Sequence, residues 1–159
     1  MKAEYINPFI ESTLNVFSTM VHLEPVRENV YLKDDNKTTY DISGVIGLAG
    51  DVAGAVVISL PESLAIKIVS SFLGEEKKSL DHDVIDGIGE VLNMIVGGAK
   101  KLFIDRFNLK YKISVPSVII GKNHTINRPS DVKFIGINFS VDKQMFSLEL
   151  SIKEENNNK

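Results

Sequence analysis

Residues 81–106 read DHDVIDGIGEVLNMIVGGAKKLFIDR, and their apolar positions recur every three to four residues. At about 100° per residue, one side of a helix collects the apolar members, namely Val84, Ile88, Val91, Leu92, Ile95, Ala99 and Leu102. The opposite side collects a polar strip, namely Asp83, Asp86, Glu90, Asn93, Gly97, Lys100 and Lys101. The stretch therefore predicts a long helix with one buried side and one outward-facing side.

Glycine is unusually frequent in this predicted helix, at Gly87, Gly89, Gly97 and Gly98. Relative to alanine, four glycines cost a helix roughly 3–4 kcal/mol. We expect a compensating contact, which is usually close approach of another backbone or of a partner surface. Gly97 lies one turn beyond Asn93 on the same side, so the surface beside that amide is expected to be bare.

The polar strip also carries a carboxylate and an amide three residues apart, Glu90 and Asn93. This spacing places the two side chains next to each other on a helix, within reach of one shared target. A carboxylate can pair with a cation, and an amide can both donate to and accept from one water molecule. The pair can therefore orient a nucleophile without becoming one. Taken alone, the same spacing is also common on plain helix surfaces.

Upstream of this stretch, a first helix is predicted from Asn7, as its cap, and Pro8 to about Leu23, and Pro25 ends it. A short second helix is predicted between Pro61 and Gly74. The predicted extended segments are residues 30–32, 40–48, 55–60, 111–120, 132–141 and 145–152.

One helix followed by three extended segments thus occurs twice, and VIGL at 45–48 resembles FIGI at 134–137. This repetition indicates an internal duplication. We expect an α+β fold with one domain, residues 1–153, in which two helix-plus-three-strand halves build a largely antiparallel sheet packed with the long helices. Residues 154–159 are predicted to form a polar tail.

The composition excludes several classes of function. The chain has 159 residues, a net charge of −3 and no cysteine, which excludes a disulfide framework, a thiol nucleophile and a cysteine-bound metal. Its basic residues are scattered, so nucleic acid is not an expected partner. The amino terminus, MKAEYINPFIEST, lacks the apolar core of a secretory signal, and no stretch has the length and apolarity of a membrane span. We expect a soluble, cytoplasmic protein with no membrane partner.

Other catalytic devices are poorly supported. His82 lies between Asp81 and Asp83, a cluster that is better explained by helix capping than by metal binding. A Ser/His/Asp site would need a Gly-x-Ser-x-Gly turn, and a phosphate cradle would need a matching glycine loop; the sequence has neither. No metal site is predicted.

The wider pattern is similar to a known family. The segment GEVLNMIVGGAK, residues 89–100, resembles the helix motif of the CheC, CheX and FliY phosphatases, in which Glu is followed by Asn three residues on, then Met and Gly. Two flanking segments resemble the same family: ISGVIGLAGDVAGAVVISLP at 42–61 and VPSVIIG at 115–121. Within the family the chain is most similar to the CheX branch, in length and in having a single motif.

This resemblance implies a phosphatase acting on the aspartyl phosphate of a CheY-like response regulator. By resemblance, Asn93 positions the attacking water and Glu90 binds the active-site lysine of the receiver. The receiver brings its own phosphoacceptor Asp and its own Mg²⁺, so the chain is expected to need no cofactor of its own and to form no covalent intermediate.

The docking surface expected around this pair comprises Asp86, Met94, Gly97, Lys100 and Lys101. The two lysines are also suited to the carboxyl half of the helix dipole, and Met94 to ordinary partial burial, so these alternatives stay open. The resemblance also implies a homodimer joined through sheet edges.

The first helix is not expected to carry a second site. Family members with two sites repeat the motif there, but in this chain Glu11 has Leu14 at the third position and Asn15 one residue late. That extra residue turns the amide away from the position it would need. One active site per chain is therefore predicted.

Two alternatives stay open from the sequence. The first is a non-catalytic module, related to flagellar switch proteins, that binds a receiver or a motor component. The second is a small-ligand sensor, which would need a concave apolar pocket.

Overall fold

Two hairpins, formed by residues 42–60 and 134–154, lie at the centre of a seven-stranded antiparallel sheet. The computed structural model describes residues 1–35, 39–122, 124–126 and 132–155. Its strands are β1 Val26–Lys33, β2 Ile42–Gly50, β3 Val52–Leu60, β4 Tyr111–Ile113, β5 Ser117–Ile120, β6 Phe134–Val141 and β7 Gln144–Glu154. Its α-helices are α1 Ile6–Val16, α2 Glu62–Leu73 and α3 His82–Phe107.

The order of the strands agrees with the predicted duplication. Across the sheet the order is β1-β6-β7-β3-β2-β4, and β5 also pairs with β2. Each half keeps its own hairpin, and the two hairpins meet where β3 pairs with β7. The other strands are exchanged between the halves, since β1 pairs with β6 and β5 pairs with β2. The α+β class and the antiparallel sheet are therefore as predicted.

Local signals placed three of the helix boundaries correctly. Pro61 is the cap residue before α2, and Gly74 ends that helix in the left-handed conformation, with φ of 67°. Asp81 caps α3, which starts within one residue of its predicted position. The predicted extended segment 111–120 is instead two short strands, β4 and β5, because three residues that include Pro116 interrupt it.

The prediction that Asn7 caps the first helix is wrong. Helix α1 begins at Ile6, directly after a 3₁₀ turn at Ala3–Tyr5, and the side chain of its N-cap residue Tyr5 makes no capping hydrogen bond with the described residues. Tyr5 is buried, with its ring 5.2 Å from that of Phe103 and 4.9 Å from that of Phe107. Burial of this residue draws the first turn inward, and Pro8 is tolerated within it because the first turn needs few backbone donors.

The helices pack on one face of the sheet, with α3 in contact with both other helices. Most of the predicted apolar side of α3 is buried, but Leu102 is only partly buried and the neighbouring Phe103 is fully buried. The Phe103 ring joins an aromatic cluster with Tyr5, Phe9, Phe107 and Tyr111. This cluster shifts the buried side of the last two turns by about one residue.

Strand β7 ends at Glu154, and the backbone N–H of Glu155 still donates to Asp51. Residues 156–159 of the predicted polar tail lie outside the described residues. In the part of the chain that the structure describes, we find no helix with the length and apolarity needed to cross a membrane.

Candidate active site

The start of α3 is fixed by a side-chain cap. Asp81 Oδ1 accepts a hydrogen bond from the backbone N–H of Val84 at 3.0 Å, as expected for an N-cap aspartate. That hydrogen bond, together with the nearby ammonium of Lys77, lowers the pKa of Asp81. Lys77 also donates to Asp83 at 2.7 Å. Both aspartates are thus engaged in capping and charge pairing, as the capping interpretation predicted, and the described ranges contain no cluster of side chains suited to a metal ion.

Glu90 and Asn93 lie on the outward side of α3. Glu90 is exposed and Asn93 is partly exposed. Neither side chain forms a hydrogen bond or an ion pair with another described residue. At this spacing their Cβ atoms are about 5–6 Å apart. The structure therefore presents an adjacent carboxylate and amide to solvent with their hydrogen-bonding capacity free.

The four glycines of α3 serve two different purposes. A Cβ at Gly87 would lie 2.6 Å from Val69 of α2, and a Cβ at Gly98 would lie 2.5 Å from the hydroxyl of Ser12 in α1. These two glycines let neighbouring helices approach closely. A Cβ at Gly89 would make ordinary contact with Pro116, whereas at Gly97 it would meet no atom of the described residues within 4 Å. The surface beside Asn93 is bare, as predicted.

Charge is distributed unevenly along the polar strip. Asp86 and Glu90 lie before Asn93, and Lys100 and Lys101 lie after it. The carboxylates of the first pair and the ammonium groups of the second have no partner within the described ranges. The strip therefore runs from an acidic end to a basic end, with the amide between them.

Beside the acidic end, α2 and α3 form a groove of about 380 Å³. Phe72 and the exposed Leu73 provide its apolar part, and Glu75, Asp86 and Glu90 provide its charges. The sequence offered little to predict this groove, because Phe72 and Leu73 read only as the end of a short helix.

Comparison with known proteins identifies the family of this chain. A family model described as chemotaxis phosphatase CheX matches residues 42–140, which include the Glu90–Asn93 pair. The chain belongs to this family. Individual relatives are similar over nearly the whole chain, beyond the region that the family model matches.

Three relatives illustrate the extent of this similarity. The CheY-P phosphatase CheX of Thermotoga maritima is 25% identical over 154 residues, covering 96% of this chain and 98% of that protein. A CheC-like superfamily protein from a Shewanella species has a structure with a TM-score of 0.85 at 38% identity, covering 96% of this chain and 99% of that one. A Borrelia burgdorferi structure of a CheX-CheY-BeF3-Mg complex matches with a TM-score of 0.78 at 25% identity, covering 96% of this chain and 100% of that one.

In this CheX-family chain, the α1 carboxylate that corresponds to Glu90 in the motif is that of Glu11, and it already has a partner. Arg106 binds Glu11 with both of its terminal nitrogens, and the Nη2 to Oε1 distance is 2.7 Å. The hydrogen bonds from Arg106 lower the pKa of Glu11. Asn15 is exposed and one residue out of step with the motif. Glu11 therefore contributes to the contact between α1 and α3, and the prediction of one site per chain stays a prediction.

Two buried hydroxyl groups donate hydrogen bonds to backbone carbonyls of α3, and neither contact was predicted from the sequence. The Ser12 hydroxyl donates to the Ile95 carbonyl at 2.6 Å, and the Tyr111 hydroxyl donates to the Val96 carbonyl at 2.8 Å. These carbonyls lie on the turn next to Asn93. A serine and a tyrosine outside the helix carry no local signal that they support it, so only the tertiary structure reveals them.

The opposite face of the sheet carries a separate apolar pocket of about 350 Å³. Val45, Ala55, Val57 and Phe134 line it, and these side chains point away from the helices. It is remote from the polar strip of α3. The small-ligand alternative therefore has a possible location, but not at the Glu90–Asn93 pair.

Proposed function

We propose that this chain is a phosphatase that removes the phosphoryl group from the aspartyl phosphate of a CheY-like response regulator. The observation that carries the proposal is the Glu90–Asn93 pair, which is outward-facing and without partners among the described residues of a CheX-family chain. An enzyme that acts on another protein's buried phosphoryl group must present its working side chains on an exposed surface. Helix α3 presents Glu90 and Asn93 on its outward side.

The amide of Asn93 positions the attacking water. Its carbonyl oxygen accepts a hydrogen bond from the water and leaves the water's lone pair directed at phosphorus. A new O–P bond forms as the bond between phosphorus and the aspartyl oxygen breaks, so the receiver's carboxylate is released and the water's proton leaves with inorganic phosphate. Phosphoryl transfer depends mainly on positioning and charge stabilisation, which suits a single well-placed amide.

Glu90 fixes the orientation of the docked receiver. Its carboxylate pairs with the receiver's active-site lysine, one helical turn from the water held by Asn93. It does not attack phosphorus, so no phosphoryl group is transferred to this chain. The remaining contacts are made by Asp86, Gly97, Lys100 and Lys101 along the polar strip and by Met94, which is partly buried and packs against the core.

The metal belongs to the substrate. We propose that Mg²⁺ is brought by the phosphorylated receiver, as the resemblance to the CheX family implies. The Borrelia burgdorferi relative, whose complex contains CheY, BeF3 and Mg, is consistent with this division of roles.

A homodimer through the edge of the sheet completes the proposal. Strand β1 is an edge strand, and Val26, Val30 and Leu32 are exposed on it. An edge strand with unpaired backbone groups and exposed apolar side chains is suited to pairing with a second copy. We therefore assign the dimer contact to β1.

One assay separates catalysis from simple binding. A CheY receiver is charged with acetyl phosphate in the presence of Mg²⁺, and the release of phosphate is followed with and without the purified chain. Faster release that is proportional to the concentration of the chain supports the phosphatase. If the chain binds the beryllofluoride-loaded receiver but leaves the phosphoryl lifetime unchanged, it is a non-catalytic binding module.

A further inference from the structure

A second cleft adjoins the basic end of the polar strip. It has a volume of about 480 Å³ and lies between the second half of α3 and the residues around β4. Its lining includes Lys100 and Ile104 of α3, and Lys110, Tyr111 and Lys112 beyond the helix. We call it the lysine cleft.

The lysine cleft lies on the same side of α3 as the proposed catalytic amide. Asn93, Gly97, Lys100 and Ile104 follow one another at spacings of four, three and four residues, which keeps them on one side of a helix. Lys100 is seven residues beyond Asn93, a distance of roughly 10 Å along the helix axis. A partner that covers Asn93 therefore reaches the cleft with the same surface.

The local charge of the lysine cleft is positive, opposite in sign to the net charge of the chain. The protein carries a net charge of −3, yet three lysines meet here. Their ammonium groups have no carboxylate partner among the residues described. Asp51, the one acidic residue among the described residues of the lining, accepts a hydrogen bond from the backbone N–H of Lys110 at 2.9 Å. Three ammonium groups thus face one carboxylate, and that carboxylate is already bound to the backbone at Lys110.

The floor of the cleft is apolar and rigid. Tyr111 is buried, its hydroxyl donates to Val96, and its ring lies 5.6 Å from that of Phe103. Ile104 is partly buried beside it. An apolar floor with a cationic rim suits a segment that carries a carboxylate next to an apolar side chain.

We propose that the lysine cleft binds an acidic segment of the same receiver molecule whose phosphoryl group lies at Asn93. This inference rests on the proposed function. The acidic end of the strip pairs with the receiver's lysine, and the lysine cleft pairs with acidic side chains about three turns further along α3. Two contacts of opposite sign define one docking direction, because a reversed receiver would oppose like charges at both ends.

The test is a double charge reversal at residues that lie outside α3. Lys110→Glu/Lys112→Glu is compared with Lys122→Glu/Lys133→Glu, a control that changes the net charge equally on exposed residues outside the cleft. We expect the cleft variant to slow association with a beryllofluoride-loaded CheY receiver roughly tenfold, with most of the loss removed at high salt. In phosphate release, KM should rise by about the same factor while kcat stays within about twofold. The control should match the wild type in both.

Each failure has a distinct meaning. If the double charge-reversal variant of the cleft does not fold, Lys110→Gln/Lys112→Gln replaces it. This milder variant should show a smaller effect in the same direction. Unchanged association and KM in a folded cleft variant would overturn the inference while leaving the phosphatase intact. A change confined to the oligomeric state, with normal receiver binding, would also overturn it. If no variant or wild-type chain accelerates phosphate release but the cleft variant still binds more slowly, the proposed function fails and the docking inference stands.

Discussion

Ser12 and Gly98 touch where α1 meets α3: a Cβ at Gly98 would lie 2.5 Å from the Ser12 hydroxyl oxygen. That hydroxyl donates to the carbonyl of Ile95, on the turn beside Asn93. The adjacent Gly97 has open space instead. Of these two neighbouring glycines, Gly98 is required for the close packing of α1 on α3. Gly97 instead leaves the surface beside Asn93 open for docking.

Alanine at these two positions should have opposite effects on stability. Gly97→Ala should raise the free energy of unfolding by about 0.5–1 kcal/mol through helix propensity alone. Gly98→Ala should lower it by about 1–2 kcal/mol, because the methyl group displaces Ser12 and overpacking outweighs the propensity gain. Urea denaturation of both variants measures this. Equal shifts of the same sign would contradict the helix contact described here.

Replacing Glu90 should weaken docking. Glu90→Gln removes the charge that we propose pairs with the receiver's lysine, so the affinity for a beryllofluoride-loaded receiver should fall about tenfold, equivalent to about 1.4 kcal/mol. The affinity of the variant should also depend less on salt, since a charge pair that salt screens is gone. Titration calorimetry at two salt concentrations measures both, with Glu62→Gln as a control on the exposed first turn of α2. Unchanged affinity would remove Glu90 from the docking surface.

The cap of α3 should contribute stability in a defined pH range. The pKa of Asp81 is lowered in the folded protein, so its contribution is fully present above the pKa of a free aspartate, near pH 4, and is lost as pH falls through the folded pKa. Asp81→Ala should therefore lower the thermal midpoint by a few degrees at pH 7 and by less at pH 3. Calorimetry at both pH values measures the difference. An equal loss at both would mean that the ionised carboxylate is not what stabilises the helix.

The proposed dimer edge can be tested without touching the active site. Val30→Lys/Leu32→Lys places two charges on the exposed side chains of β1 and should convert a dimer to a monomer in light scattering. Val115→Lys is the control, since that residue is 85% exposed next to the strands at the other end of the sheet. A monomer produced by the Val115 variant alone would move the interface to that end.

The sequence predicted what is encoded locally or by periodicity. Pro61, Gly74 and Asp81 mark helix ends through their own backbone and side-chain chemistry, and the Glu90–Asn93 pair follows from helical spacing. The first helix was placed two residues late because burial of Tyr5, a tertiary effect, outweighed the capping preference of Asn7.

What the sequence could not predict comes from segments that meet only in the fold. Lys110 and Lys112 follow α3 in the chain, and nothing in their spacing shows that the chain turns back to place them beside Lys100. The contact between Ser12 and Gly98 joins residues that are 86 positions apart in the sequence. Single-sequence patterns carry no information on such distant pairs.

Phosphate release in the presence of Asn93→Ala distinguishes a water-positioning amide from a residue that only docks the receiver. We expect this variant to bind the beryllofluoride-loaded receiver with an affinity within about threefold of the wild type, since the amide makes few of the docking contacts. Its acceleration of phosphate release should fall on the order of a hundredfold or more, because the water is no longer held in line. Asn15→Ala, which removes the exposed amide of α1, should retain full activity. An Asn93→Ala protein that still releases phosphate at the wild-type rate would contradict the account.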